Sequence, residues 1–438
     1  MRTITTIAVL LFSFGAGSVK AQDSTRRVLK VEELFTLAAQ NSKALNISKQ
    51  GIDASHQSTE IAKSERLPEI SASIDAGYIS NITVLNPTFS YNQTVPVPHF
   101  SNNYGVDASE TLYNGNRVNN NIAKAKLEEQ LSVQNYNQDK ESIKMLLLSQ
   151  YLELYRLFNQ RRVYEKNIEL AKTRLKNIQA LHTEGMVTKN DIIRSQLQIT
   201  DLDVLADQVN NNIAIINKEL TVVLGLPAGT QIAVDTTITA SELKSNTYAE
   251  YLRQAYALRP AMKATQASEG IAEKNIRIAK AEKLPAVSLY AGDGFTRPYM
   301  YSFPPMNIYS NIYQAGIRLR YNISSLYHAK DHIRLAEIRW SQQRTRSEQV
   351  QQQAELDVNS AFIKYNEAKT EFDRREKARL LADDNYRIVE KKYLNQMAML
   401  TDILDASSAK LAAELTESNA GINIVYRWYL LQKATGNF

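Results

Sequence analysis

The sequence predicts a mostly α-helical protein with a small β part, built as a two-fold internal repeat of long coiled-coil helices. The segment from Ile317 to Ala420 contains no glycine and no proline, the two residues that interrupt helices most strongly. A single helix from about Leu326 to Tyr393 would be about 100 Å long at about 1.5 Å of rise per residue. Because ordinary globular helices run about 8–20 residues, this pattern indicates a coiled coil, a helical repeat or the wall of a tube.

The internal repeat is visible as a constant separation between matching landmarks. Gly185 and Gln396 each stand six residues before an Asp-Ile pair, and they are 211 residues apart (396 − 185). The same separation (436 − 225) relates Gly225 to Gly436, each of which follows a long stretch with helical spacing. Recognising such self-similarity first prevents a wrong fold assignment.

The repeat divides the chain into four parts. Each repeat is predicted to contain a helix, a β-hairpin, a long helix and a returning helix. In order, we predict a signal peptide at 1–21, a first repeat at 22–227 with its hairpin at about 69–113, an equatorial connector at 228–246, and a second repeat at 247–438 with its hairpin at about 285–323.

The first 21 residues have the pattern of a secretory signal. Arg2 supplies the positive start, an apolar core follows at 7–14, and Val19-Lys20-Ala21 offers small residues before the expected mature start at Gln22. The apolar run is too short for a spanning helix, which needs about 20 apolar residues. We therefore expect an exported mature protein.

The segments around the hairpins are predicted from helix and strand periods. Val31 to Arg66 has helical spacing and should end at Leu67-Pro68, while the second repeat should start a helix near Tyr248. The loop between the first two strands is predicted at 81–103, where Asn, Pro, Ser and Thr are frequent. Apolar residues then alternate with polar ones at Ile70, Ala72, Ile74, Ala76 and Tyr78, at Tyr104, Val106, Ala108 and Leu112, at Val287, Leu289 and Ala291, and at Tyr313, Ala315, Ile317, Leu319 and Tyr321.

These four strands have a pattern typical of transmembrane β-strands. Each run is about ten residues, matching the ~9–11 residues of a tilted strand that crosses a bilayer. One face is apolar with interfacial Tyr and the other is polar, although alternation alone also fits a half-buried soluble sheet. Four strands cannot close in lipid, where an open edge leaves backbone groups unpaired. If the membrane interpretation holds, closure requires several chains, and a homotrimer would give a 12-stranded barrel.

No constellation of reactive residues is evident in the sequence. Nucleophile elbows, zinc-protease motifs, phosphate loops and calcium loops are all absent, which predicts no catalysis and no cofactor. His328 and His332 share a helix face but lack a third ligand, so we predict no metal site. The net charge of +6 is spread along helices beside acidic residues, which predicts no nucleic-acid partner.

The informative polar cluster lies in the second repeat. Asp402 and Asp405 are three residues apart and so share a helix face, with Tyr393 shortly before them. In a trimer, this face could place three copies of each carboxylate in rings around the axis. Rings of carboxylates at a constriction select cations.

These features together resemble the TolC-type outer-membrane efflux proteins over essentially the whole mature chain. The segments that carry the resemblance most specifically are Tyr393-Leu394-Asn395-Gln396-Met397-Ala398-Met399-Leu400-Thr401-Asp402-Ile403-Leu404-Asp405-Ala406 and His182-Thr183-Glu184-Gly185-Met186-Val187-Thr188-Lys189-Asn190-Asp191-Ile192. The resemblance implies a trimeric barrel in the outer membrane of a Gram-negative bacterium, with an α-helical tunnel in the periplasm. It implies a passive export duct of a tripartite efflux or type I secretion system, with a periplasmic adaptor protein and an inner-membrane pump as partners.

The resemblance also implies roles for individual residues. Asp402 and Asp405 would line the closed entrance, and Tyr393 would help to hold it shut against Asp191 of a neighbouring helix pair. The adaptor would dock on the tips, which are Gly185, Met186, Gln396 and Met397. Two departures stand out: Gln396 replaces the usual Gly, so its local backbone or adaptor contact is expected to differ, and Ala398 replaces an arginine gate latch.

Two other functions compete with the duct. A periplasmic adaptor would also have a long helical hairpin, but the duplication and the strand pairs before each long helix disfavour it. A soluble helical enzyme is disfavoured because no reactive constellation is present.

Overall fold

The computed structural model describes residues 26–235 and 246–438. The predicted signal peptide and residues 236–245 of the predicted connector lie outside the described residues. The helices are α1 (Val31–Asn41), α2 (Lys43–Ser64), α3 (Arg117–Thr183), α4 (Lys189–Val223), α5 (Tyr248–Leu258), α6 (Pro260–Ala281), α7 (Ser325–Leu394) and α8 (Leu400–Thr435). The strands are β1 (Arg26–Leu29), β2 (Glu69–Tyr78), β3 (Ile82–Leu85), β4 (Tyr91–Val95), β5 (Phe100–Tyr113), β6 (Gln231–Val234), β7 (Ala286–Arg297) and β8 (Ser310–Arg320).

The two longest helices confirm the mostly helical prediction. α3 has 67 residues and α7 has 70, so each is about 100 Å long. The predicted helix from about Leu326 to Tyr393 falls within α7. Neither helix contains glycine or proline, which explains why each continues for so many turns.

The prediction of one helix from Val31 to Arg66 is wrong, because two helices form there. Ser42 interrupts them with extended backbone angles of φ −64° and ψ 116°. The break allows the Asn41 side-chain amide to donate a 2.8 Å hydrogen bond to the carbonyl oxygen of Leu224, at the end of α4. This long-range bond has no signal in the local helical spacing. In the second repeat, α5 and α6 are separated in the same way, at Arg259.

The main sheet has four antiparallel strands in the order β2-β5-β7-β8, so the two predicted hairpins form one sheet. A separate hairpin of β3 and β4 lies within 81–103, where we predicted only a loop. In the predicted connector, β6 pairs in parallel with β1. The alternation in β3 and β4 is too short to have distinguished strand from loop in the sequence.

The predicted apolar face of the main sheet is exposed in the single chain. Ile74 is 76% exposed and Tyr313 is 83% exposed. Asp293, two residues after Ala291, also lies on this face, between Val106 and Tyr313, and it interrupts the apolar pattern with a carboxylate. Asn311 donates a 2.6 Å hydrogen bond to the Asp293 carboxylate, which satisfies one of its oxygens.

The chain divides into two compact units, each with its own apolar core. The described part of the first unit comprises 26–42, 147–235 and 377–422, and that of the second comprises 43–146, 246–376 and 423–438. The core of the second unit is formed by α5, α7 and α8, and its fully buried side chains include Tyr251, Tyr365 and Leu431. Within the described residues, no helix is both long enough and apolar enough to cross a membrane.

Candidate functional site

The first helical tip is a tight turn between α3 and α4. The N–H of Met186 donates to the carbonyl of Leu181 at 2.9 Å, and the N–H of Gly185 donates to that of His182 at 2.9 Å. This pair of bonds is the Schellman motif, in which the residue after the helix adopts a left-handed conformation. Gly185 has φ +77° and meets no other atoms where a Cβ would be, so the turn is open to solvent.

The second tip, between α7 and α8, repeats this backbone with a different residue. Met397 donates to the carbonyl of Lys392 at 2.8 Å, and Gln396 donates to that of Tyr393 at 3.0 Å. Gln396 has φ +61°, so the expectation of a different local backbone at this position is wrong. The two hydrogen bonds impose the left-handed conformation even on a residue that has a Cβ. The Gln396 amide also lies 3.0 Å from the Met186 sulfur, so the structure brings the two predicted tips into contact.

Both returning helices have an aspartate as their third residue, and its carboxylate caps the start of the helix. The carboxylate of Asp191 accepts hydrogen bonds from the Thr188 N–H at 2.8 Å and the Thr188 hydroxyl at 2.9 Å. The carboxylate of Asp402 accepts one from the Met399 N–H at 2.8 Å. Each satisfies a backbone donor at the start of its helix. Sequence reasoning assigned these carboxylates only to the gate and missed this structural role.

Asp405 differs from Asp402 although both are exposed on the first turns of α8. No described residue forms a hydrogen bond or ion pair with Asp405, so its carboxylate does not cap or pair with any part of the described structure. The first-repeat equivalent of Asp405, at the same 211-residue separation (405 − 194), is Arg194. The start of α8 therefore presents two carboxylates, whereas the start of α4 presents one carboxylate and one guanidinium.

Beneath the turns lies an apolar cluster built from all four helices that meet there. Its buried members are Ile178, Tyr386, Tyr393, Leu400, Ile403 and Ala406. Val187 and Ala398, which occupy equivalent positions in the two turns, both pack against this cluster. Ala398 is therefore a packing residue, and no arginine latch exists at this position.

Two buried polar groups, one in this cluster and one near it, have hydrogen-bonding atoms without a partner among the described residues. The Tyr393 hydroxyl is buried and has no partner among the described residues. Burial raises the pKa of Tyr393, and the nearby Asp191 carboxylate adds to the rise, so the two predicted gate residues lie close together within one chain. Arg174 is only 5% exposed, donates to Gln198, and leaves Nε and Nη1 without a partner in the described chain. Burial lowers the pKa of Arg174.

A second polar contact joins α7 to α8. The Lys410 ammonium lies 2.5 Å from the Asp383 carboxylate and 4.9 Å from the centre of the Tyr386 ring. Burial, followed by a 2.9 Å bond to Glu390, raises the pKa of Tyr386 to about 12. Sequence reasoning missed Lys410 and Arg174, because a cation in a helix rich in Lys and Arg carries no signal of being buried.

Three methionines in the two turns are exposed to solvent. Met186, Met397 and Met399 are 51%, 69% and 73% exposed. Flexible, polarizable methionines suit surfaces that bind a partner. Elsewhere, the imidazole of His332 is paired with Glu282 at 2.8 Å, and no cluster of three or more metal-ligand side chains occurs in the part of the chain that the structure describes.

The chain consists of two repeats, and each has a pair of sheet strands, a helix of about 100 Å, a tight turn and a returning helix. This architecture defines a TolC-type channel subunit. The chain belongs to the Outer membrane efflux protein family, whose sequence pattern matches residues 34–226 and 251–437. Among curated relatives, it is 20% identical to the outer membrane efflux protein BepC of Brucella suis biovar 1 (strain 1330) over 416 residues, covering 91% of this chain and 83% of BepC.

Solved structures share the fold. The chain matches a crystal structure of CusC with a TM-score of 0.79 and 15% identity, covering 93% of this chain and 92% of CusC. It matches the Campylobacter jejuni CmeC outer membrane channel with a TM-score of 0.75 and 14% identity, covering 100% of this chain and 94% of CmeC. The TolC-type resemblance, the outer-membrane location and the role as an export duct are thereby confirmed. The family match favours the duct over the periplasmic adaptor.

Proposed function

We propose that three copies of the chain form a 12-stranded barrel and an α-helical tunnel, and that this trimer is a passive conduit for export. The observation that carries the proposal is the four-stranded sheet with two open edges. β2 and β8 are its outer strands, and each pairs on only one side within the described residues. Unpaired strand edges in lipid leave backbone donors and acceptors unsatisfied, so the edges of neighbouring copies must join.

The exposed faces of the sheet support a position in lipid. An exposed apolar face that runs across four strands would, in water, be a site of aggregation or partner binding. Asp293 is the exception on this face, but it is hydrogen-bonded and lies four residues before the end of β7. The cost of a charge on the lipid face falls from the bilayer centre towards the interface.

The entrance is proposed to lie at the first turns of α8, where Asp402 and Asp405 would form carboxylate rings. Asp405 is the stronger candidate for the charge itself, because Asp402 also caps its helix. Tyr393 and Asp191 are proposed to hold the closed state, since the buried Tyr393 hydroxyl lies near the Asp191 carboxylate and has no hydrogen-bond partner in the described part of the chain. A shift of α7 and α8 against α3 and α4 could then open the entrance.

A periplasmic adaptor and an inner-membrane pump are the proposed partners, and the tips are the proposed docking surface. Gly185, Met186, Gln396 and Met397 are all exposed. The contact between Gln396 and Met186 joins the two turns, so an adaptor would meet them as one surface. The energy for export would come from the pump.

Single-channel recording tests the gate. We expect Asp405→Asn to reduce cation preference without weakening the start of α8, and Asp402→Ala with Asp405→Ala to reduce it further. The matched control is Asp203→Asn, which removes one exposed carboxylate from α4. Unchanged selectivity in the double variant would refute the assigned role. Native mass spectrometry of the detergent-extracted protein tests assembly, and a monomer alone would contradict the trimer.

A further inference from the structure

A cavity of about 360 Å³ lies within the second unit. It is bounded by α3, the start of α6, the middle of α7 and the end of α8. We call it the α6 cavity. Its volume is at the lower end of the range of small-molecule pockets, about 300–1,000 Å³. One part of its wall is apolar, formed by Pro260, Ala261, Ala361, Leu430 and Ala434.

The charged lining of the α6 cavity is predominantly cationic. Four cations line it (Arg259, Lys364, Arg427, Lys433) against two acids (Glu141, Asp357), which gives a formal balance of +2. Lys364 is engaged by Glu367 at 2.7 Å, and Asp357 is engaged by Arg259 at 2.5 Å. Arg427 and Lys433 form no ion pair with any described residue. Unpaired cations around a partly enclosed space attract an anion.

The guanidinium of Arg259 has one N–H group that binds no described residue. Its Nη2 binds Asp357, but its Nη1 is buried and has no partner among the described residues. A buried unpaired donor is costly, so a missing partner is expected. Arg259 is also the residue from which α6 begins. The partial positive charge of a helix N-terminus favours an anion at the same place.

The first repeat shows that this arginine is not needed to build the fold. Ser42 separates α1 from α2 as Arg259 separates α5 from α6, so the same break forms in the first repeat with an uncharged residue. Arg259 instead extends its guanidinium to Asp357 and the cavity lining. The second repeat therefore has a charged group where packing alone requires none.

We propose that the α6 cavity binds a free, small organic dianion, with its oxyanion group at Arg259, Arg427 and Lys433 and its apolar part against Leu430 and the neighbouring alanines. Glu141 is the one carboxylate in the lining that has no hydrogen-bond partner in the described chain, and it opposes this binding. The site is distinct from the gate and is independent of the proposed gating.

Calorimetric titration of the assembled, detergent-purified protein tests the site, with inorganic phosphate and phenyl phosphate as probes. We expect saturable binding of both, and about tenfold tighter binding of phenyl phosphate because its ring is removed from water. Arg427→Gln with Lys433→Gln should weaken phenyl phosphate binding at least about tenfold, as expected for lost hydrogen bonds to a charged group. Glu141→Gln should tighten it several-fold by removing a like charge.

The matched control is Arg374→Gln, which removes one exposed cation from α7 outside the cavity. An equal loss of binding in this control would overturn the proposal, because it would show a general charge effect. Weaker binding in Glu141→Gln would also overturn it. If the double variant fails to assemble, the tighter phenyl phosphate binding expected in Glu141→Gln still tests the proposal, because misfolding cannot tighten binding. Binding only to phosphatidylglycerol vesicles, with none to either free probe, would likewise exclude a free anion.

Discussion

The turns at Gly185 and Gln396 have the same backbone but different chemistry. Each ends its long helix with the same two hydrogen bonds and a left-handed residue. One left-handed residue is glycine, which adopts this conformation freely, and the other is glutamine, which pays about 1 kcal/mol or more for it. The difference teaches that the helix-ending hydrogen bonds and the cluster beneath them set the backbone. The side chain at the turn is then free to serve another purpose.

That purpose is visible in the contacts of the second turn. Gln396 reaches Met186, a contact that glycine could not make. The returning helices also differ in charge, because the second repeat has Asp405 at the position where the first repeat has Arg194. The second turn is therefore the more specialised copy, with a strained residue at the turn and two exposed carboxylates, three residues apart, at the start of the helix that follows.

The largest expected effect comes from comparing two left-handed glycines, Gly436 and Gly185. A Cβ at Gly436 would lie 2.6 Å from the backbone of Arg259, whereas one at Gly185 would meet nothing. We expect Gly436→Ala to destabilise its region by roughly 3 kcal/mol, from strain plus overpacking, and Gly185→Ala by about 1 kcal/mol. Hydrogen exchange of the amides around each turn measures both. Equal losses would show that the close approach to Arg259 relaxes without cost.

The next effect comes from exchanging the residues of the two tips. Gln396→Gly should stabilise the second turn by about 1 kcal/mol, reduced by the free energy of the lost contact with Met186. Gly185→Gln should destabilise the first turn by about 1 kcal/mol. Amide exchange in 392–397 and 181–186 provides the readout. A destabilising Gln396→Gly would mean that the Met186 contact outweighs the strain. Adaptor binding measured on the same variants would show whether that contact matters for docking.

The smallest effect concerns the caps. Asp191→Ala removes two hydrogen bonds from the start of α4, and Asp402→Ala removes one from the start of α8. We expect losses of about 0.5–1 kcal/mol, larger for Asp191. Local exchange rates in the first turns measure them, and Asp405→Ala serves as the uncapped control. A loss in Asp405→Ala equal to that in Asp402→Ala would remove the distinction between cap and charge.

The sequence predicted the parts that depend on local chemistry. The absence of glycine and proline predicted one long helix, because nothing interrupts the backbone hydrogen bonds, and the match of Gln396 to Gly185 placed its end close to the observed Leu394. The break at Ser42 was missed because its cause, the bond from Asn41 to Leu224, joins residues far apart in the chain. Asp293 was missed although its position, two residues after Ala291, puts it on the apolar face, because a carboxylate interrupts the apolar pattern that marks the strand.

By itself, the sequence determined the duplication, the long helices, the alternating strands and the positions of both turns, because each depends on residue type and spacing along the chain. Only the tertiary structure decided what the polar groups do. It placed Asp402 in a cap, left Asp405 free, buried Arg174 and Lys410, and gathered the cations of the α6 cavity. The physical reason is that the role of a charged side chain depends on the groups packed around it. These groups come from helices that are distant in sequence.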